Sequence, residues 1–431
     1  MSWLCRWFRV NCPSQPPPPP DPPLAREVHV SVWGPDGLLM ANLVTRATLI
    51  PEPLPQLVML GQRLPGENRL RFVLPANVPY TWGAQLHLEA KDYVALDERV
   101  FLAQDLNVQM AYAHVDLPRL VVAGQHLRQV TGVTGAIFTA VQCSDFNLAA
   151  RIDAGDDVHS VLAQRQAAGF NMLRVWTAYD VPRIGTFKPH LHPRSYDAIA
   201  QCADLASRYG FYVQFTGFAS PRGVFTSEDQ QVIHWEMLSD IARGRTNVLL
   251  ELDNEGDQAA NAGLAYARMA RPLGVLASRG SLGSQQAPSA PHWDYVNFHT
   301  NGAFEEQRKV GHNAWKIWSG PTLTNETSRY PDVGMWVGAS LERQKMLAFD
   351  SAAGAALLCA GSCFHSIHGK TSQLWDANEL AVAAAWAAGA HSVDLSFQNQ
   401  PYRHREDLET PGRSILRAYQ RGNSPVVWIH R

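Results

Sequence analysis

The chain has 431 residues, 46% of them hydrophobic and 18% charged, and a formal net charge of −2 at pH 7. That length and apolar content suffice for one large core and a smaller second one, while the interspersed charges form no basic stripe for nucleic acid or anionic lipid. Thirteen Trp and twelve Tyr suit a largely uncharged carbohydrate partner, because flat aromatic faces match sugar rings, although most Trp in any fold simply pack.

At the amino terminus, MSWLCRWFRVNC has Arg6 and Arg9 inside its apolar run, so it lacks the uninterrupted core of a secretory signal. No window approaches a membrane span; the sequence leaves the setting open, with a cytoplasmic or a virion-associated one both compatible. Residues 13–23, PSQPPPPPDPP, hold eight prolines in eleven positions and read as a polyproline spacer or tether. Residues 1–26 are therefore a head and tether, either an attachment to a larger particle or a frayed terminus. The six cysteines lack the spacing of a disulfide framework or zinc site, Cys359 and Cys363 included, and read as mostly free thiols.

From 27 to 112 the pattern is period-two alternation. Val28, Val30 and Val32 precede a GPDG turn at Gly34 to Gly37; Leu70, Phe72 and Leu74, then Leu86, Leu88 and Ala90 follow, with further runs at 93–102 and 106–110. This predicts a small β-sandwich, Ig-like, serving as a binding module or a spacer.

From 113 to 431 the rhythm becomes strand and helix in alternation. A hairpin with Gly124 in its turn leads to a first strand near 133–141, then a helix from Asp156 that Gly169 ends, and a second strand at 171–180. Ser195 reads as the cap of a helix closed by Gly210, before a third strand at 211–219. Ser227 and Gln230 form a capping box for a helix to Ala242, which feeds a fourth strand from Val248. Further helices are expected at 257–271, 304–317, 341–353 and 378–388, and strands at 275–281, 294–302, 321–327 and 355–365, with Gln285 to Pro291 loop-like. Eight such units predict an α/β fold, a (β/α)8 barrel preceded by the sandwich.

Two barrel strands end in carboxylates. VLLELDNE ends in Asp253, Asn254 and Glu255, and PTLTNET ends in Asn325 and Glu326. Glutamates from two strands at the mouth supply the pair that glycosidic cleavage needs, one protonated and one ionised. The bland reading is a pair of solvated loop carboxylates. Trp176 follows Arg174 by two, so both point the same way, which makes Trp176 the best candidate for a sugar platform. Trp318, Tyr330, Trp336 and Trp375 fall in expected top-face loops, where aromatics also pack beneath lids.

With these residues the chain resembles the clan A retaining glycoside hydrolases, the cellulase and mannanase-like barrels, over roughly 117–398. GFNMLRVW resembles the second-strand motif, which implies Arg174 as the arginine steadying the nucleophile. VLLELDNE resembles the fourth-strand motif, implying Asn254 on a sugar 2-hydroxyl and Glu255 as acid/base. VNFHTN resembles the sixth-strand motif with His299, and PTLTNE the seventh-strand motif with Glu326 as nucleophile. Structural alternatives exist: Arg174 as a rim ion-pair partner, His299 as a satisfied core histidine, His365 and His368 as supporting residues. Thr300 and Asn301 stand where such enzymes often carry a tyrosine, and strand eight ends in Phe364 and His365 where a tryptophan is frequent. The resemblance implies a retaining O-glycosidase acting on poly- or oligosaccharide without metal or organic cofactor. The alternative is a non-catalytic glycan-binding or structural protein on the same barrel, for which intact Asn254, Glu255 and Glu326 have no chemical need.

Overall fold

A computed structural model describes residues 26–393 apart from 35–43, 64–68, 131–134, 220–222, 256–263, 281–292, 301–317 and gaps of one or two residues elsewhere. The head and proline tract, most of the GPDG turn, the start of the helix expected at 257–271 and the whole of that expected at 304–317 lie outside the described residues. Two compact units are present. One comprises Leu39–Lys91 and Ala95–Met110 with the chain up to Trp33; the other comprises Ala111–Arg431 with Gly34–Leu38 and Asp92–Val94.

The first unit holds two four-stranded sheets. One orders strands Gln62–Arg63, Arg69–Leu74, Arg26–Trp33 and Leu106–Gln109, the last pair parallel; the other orders Met59–Leu60, Val44–Pro51, Gly83–Ala90 and Leu96–Phe101. Their alternation buries Val28, Val30, Val32, Leu70, Phe72, Leu86 and Leu88 while charged neighbours face out. Gly61 lies where the sheets meet: a Cβ there would sit 2.7 Å from Ala47 Cβ and 2.8 Å from the Phe72 ring.

The second unit is built on one eight-stranded parallel sheet. Its strands are β1 (Ala140–Ser144), β2 (Met172–Trp176), β3 (Tyr212–Phe218), β4 (Val248–Asp253), β5 (Ala277–Gly280), β6 (Val296–His299), β7 (Thr322–Glu326) and β8 (Gly361–Phe364). Hydrogen bonding runs β5-β4-β3-β2-β1-β8-β7-β6, every ladder parallel. Across the seam between β5 and β6, the Asp294 N–H donates to the Ala277 carbonyl at 2.9 Å. This is a nearly closed (β/α)8 barrel. The described helices are α1 (Leu148–Asp153), α2 (His159–Ala167), α3 (Arg194–Arg208), α4 (Glu228–Arg243), α5 (Leu341–Leu358), α6 (Ile367–Lys370) and α7 (Ala377–His391). Helices α5 and α7 pack closely where Gly389, lacking a Cβ, leaves room for the Phe349 carbonyl.

Several boundaries differ from the sequence expectation for identifiable reasons. Residues 136–138, expected within the first barrel strand, instead pair antiparallel with the Gly124 hairpin, Leu127 facing Phe138, and the barrel strand begins at Ala140. Residues 355–358, expected to open strand eight, continue α5, because an Ala- and Leu-rich run favours helix and leaves only Gly361 to Phe364 for the strand. Ser195 is inside α3 rather than capping it, and its hydroxyl donates to Asp153. Part of the stretch expected as helix at 257–271 is a short 3-10 turn, Tyr266–Arg268. Ser227 does cap α4, accepting from Gln230 N–H, while the Gln230 side chain turns back to Thr226 N–H at 2.8 Å. Cys143, Cys202, Cys359 and Cys363 are buried and free.

Candidate active site

Strands β2, β4 and β7 carry unbroken buried runs, as parallel strands covered on both faces require. Each delivers a polar group at its carboxyl end, and one arginine gathers them. Arg174 on β2, fully buried, donates from Nε to Glu251 Oε2 at 2.9 Å, from Nη1 to Glu326 Oε2 at 2.9 Å and from Nη2 to Asn254 Oδ1 at 2.7 Å. Burial opposes its charge, but Glu251 and Glu326 more than offset this and hold the guanidinium protonated.

Beneath it lies a buried polar network. Glu251, fully buried, accepts from Thr216 Oγ1 at 2.6 Å, Asn297 Nδ2 at 3.0 Å and Asn325 Nδ2 at 2.6 Å. Gln214 donates to Asn297 Oδ1 and the Tyr295 hydroxyl, and accepts from Gln142. Strands β1, β2, β3, β4, β6 and β7 are thereby tied to one arginine, and the orientation of Arg174 is fixed from every side.

The two glutamates share a histidine. His299 Nδ1 lies 3.3 Å from Glu255 Oε1, and its Nε2 lies 3.8 Å from Glu326 Oε2. On the other side of Glu326, His365 Nε2 approaches Oε1 at 3.7 Å, while its Nδ1 meets Ser144 Oγ at 3.1 Å. Burial alone would raise the Glu326 pKa, but the charges of His299, His365 and Arg174 prevail and bring it down to about 2. Glu326 is thus ionised at neutral pH. Burial lowers His365 to about 4, so it is neutral there and lends its charge to Glu326 only in acid. Glu255 differs from Glu326 in its backbone: it lies two residues past the end of β4 at φ +53°, the left-handed region that side-chain-bearing residues rarely adopt. Its side chain is 35% exposed. One carboxylate is clamped and the other stands at an open rim.

Every expected site residue except Trp176 meets this cluster. Trp176 stacks on Phe146, ring centroids 3.9 Å apart and planes 7° from parallel, and is 6% exposed. The expected sugar platform is therefore corrected: one face of the indole is covered, and the pair instead forms the floor beside Arg174, whose guanidinium lies 5.4 Å from the Phe146 ring. Tyr330, Trp336 and Trp375 are also buried in packing. Phe146, Ser144 and Glu251 were not anticipated. Only Glu251 had a sequence signal, since a glutamate inside an apolar strand has to find a buried partner. A cavity of about 240 Å³ lies at the opposite end of the barrel, lined among others by Arg119, Leu249, Leu276 and Asp294, away from the glutamates.

No family model and no curated protein matches the sequence. Solved structures similar to this chain are glycoside hydrolases. One is a family 5 glycoside hydrolase from Bacteroides vulgatus, 15% identical, covering 57% of this chain and 62% of that one at a TM-score of 0.43. Another is a family 5 subfamily 18 structure from Streptomyces cattleya in complex with GlcNAc, 13% identical, covering 67% and 92% at 0.43. A third is a Bacteroides ovatus family 5 xyloglucanase with a heptasaccharide, 12% identical, covering 84% and 98% at 0.36. At TM-scores below 0.5 these likenesses add nothing to what the geometry of the site supports by itself.

Proposed function

We propose that the protein is a glycoside hydrolase that cleaves O-glycosidic bonds with retention of configuration, Glu326 as nucleophile and Glu255 as acid/base. The observation that carries this reading is the asymmetry of the pair: Glu326 is ionised and held by Arg174 at 2.9 Å, while Glu255 shares His299 with it from a less buried position. Two carboxylates made unlike by their surroundings are what double displacement needs.

In the first step a Glu326 oxygen attacks the anomeric carbon as the bond to the leaving oxygen breaks, and the Glu255 proton passes to that oxygen. In the second, Glu255 takes a proton from water, the resulting hydroxide attacks the anomeric carbon, and the Glu326 carboxylate departs. Arg174 keeps Glu326 aimed, and Asn254, bonded to Arg174 through Oδ1, is the residue assigned to the sugar 2-hydroxyl. His299 keeps the two carboxylates in register. A non-catalytic glycan-binding barrel would need neither the clamp nor the second carboxylate.

The decisive experiment is trapping. Glu255→Ala, given a glycoside whose phenolate leaves without protonation, should accumulate a sugar ester on the peptide carrying Glu326, and azide should restore turnover. An adduct on another residue would reassign the nucleophile, and full activity in both Glu255→Ala and Glu326→Gln would place the chemistry elsewhere.

A further inference from the structure

The cations at the mouth bear on the kind of sugar. Arg174 is fully buried, and each of its three nitrogens already serves Glu251, Glu326 or Asn254. Lys370 is different. It ends α6, the short helix that Ser366 caps directly after β8. This segment is stitched to the loop after β7: Tyr330 N–H donates to the His365 carbonyl at 2.9 Å, and Ile367 N–H to the Tyr330 carbonyl at 3.0 Å. Lys370 and Arg329 therefore stand on one rim, just beyond Glu326.

The ammonium of Lys370 is half-buried. Its charged neighbours are Arg329 and Arg183, which repel it, and Glu326 and Asp332, which attract it. Both acids are otherwise engaged, Glu326 with Arg174 and Asp332 with Arg329 through two bonds of 2.9 and 3.1 Å. Among the described residues no carboxylate lies within ion-pair distance of Lys370 or Arg183, whereas nearby Lys188 is paired with Asp180 at 3.0 Å. Burial and the two arginines push the Lys370 amine below its ordinary value, the mark of a cation short of negative charge. Arg183, exposed, reaches this neighbourhood from the hairpin after β2 (179–187), where its backbone takes φ +72°.

An uncharged sugar over Glu326 would leave this excess uncompensated, while an anionic one would meet it. We propose that Lys370, with Arg183, binds an anionic substituent, a carboxylate or a sulfate ester, on a sugar unit of the glycan held at Glu326. This rests on the glycosidase reading and narrows it to acidic glycans.

The test compares matched nitrophenyl hexosides, hexuronides and sulfated hexosides on wild type, Lys370→Gln and Lys370→Arg, with calorimetric binding of a hexuronic-acid oligosaccharide and its neutral counterpart alongside. The ratio of kcat/KM for the anionic over the neutral glycoside should exceed one in wild type, fall about 10- to 100-fold in Lys370→Gln, recover in Lys370→Arg, and decline with added salt. Preference for the uronide or for the sulfated sugar identifies the anion. A neutral glycoside cleaved best, with a ratio that Lys370→Gln leaves unchanged, overturns this inference and leaves the glycosidase reading standing. Lys370-dependent binding of the acidic oligosaccharide without cleavage of any glycoside does the reverse. Equal binding of acidic and neutral oligosaccharides in both proteins refutes the inference without reference to turnover.

Discussion

The two ends of the barrel use the same eight strands for opposite purposes. At the foot, Leu120, Leu127 and Phe138 from the hairpin region plug the opening against Met172, Tyr212, Leu249, Tyr295 and Leu323, a buried apolar cluster. At the mouth the inward positions are Arg174, Glu251, Glu326 and Asn325, all at or near zero exposure except Glu326. Hydrophobic burial at the foot stabilises the fold with little demand on geometry. The buried charges at the mouth cost desolvation and are tolerable only because every partner is in place. Stability and chemistry are thus separated along the barrel axis, and variants at the two ends should separate them in measurement.

The largest effect is expected at Glu326. In Glu326→Gln the amide oxygen still accepts from Arg174, so the fold keeps its clamp, but no glycosyl ester can form. Turnover should fall by about 10⁴-fold or more, while the melting temperature moves by no more than a few degrees, roughly 2–4 °C. Calorimetry and kinetics on the same preparation check both halves, and a collapse in melting temperature would make Glu326 a structural residue.

Glu251 belongs to neither end alone, and its removal should register in both. Glu251→Ala leaves Arg174 with a single carboxylate and strands the Asn297 and Asn325 amides, so about 3–5 kcal/mol of stability should be lost. A clamp free to drift should also lower kcat, by about 100-fold. Urea unfolding followed by assay of the folded fraction measures each. Loss of stability with kcat intact would confine Glu251 to the core.

At the foot the outcome should invert. Leu249→Ala, 1% exposed within the plug, should cost about 2–5 kcal/mol and leave kcat/KM of the folded protein within about threefold. A large kinetic effect there would show that the ends are coupled.

The same contrast explains what could be read from the sequence. The barrel was legible because parallel strands, β3 and β4 above all, are rich in apolar residues, and their polar tips at Asp253 to Glu255 and Asn325 to Glu326 stand out against them. Caps were legible where side chain and spacing agree, as at Ser227, but not at Ser195, whose hydroxyl serves Asp153 instead. What stayed hidden depends on contacts distant in sequence. Phe146 takes one face of Trp176 from 30 positions away, and Ser144 holds His365 across 221, so neither the closed platform nor the histidine's role is written in any local pattern. Strand eight was misplaced because the alanines of α5 carry no period that separates buried helix from buried strand.

The smallest predicted effect is on pH, and it divides the mouth from the rest by slope. His365 is neutral in the fold down to about pH 4, whereas an unfolded histidine protonates near its ordinary value of 6.5. Between those values the unfolded chain binds more protons, so stability should fall as pH falls from 6.5 to 4. Glu326, ionised in the fold down to about pH 2 against an ordinary 4.5, acts in the same direction over the next interval, from 4.5 to 2. His234, buried against Gly217 and brought down to about 3, adds to the acid loss from its own place between α4 and β3. Only differences between variants therefore isolate the mouth. His365→Asn should flatten the wild-type curve between pH 6.5 and 4, and Glu326→Gln should flatten it between 4.5 and 2, each by up to one proton of slope. Leu249→Ala should lower the whole curve and leave its shape unchanged. Chemical denaturation at half-unit pH steps gives all three curves, and a Leu249→Ala curve that changes slope, or a His365→Asn curve that does not, would break the separation between the two ends.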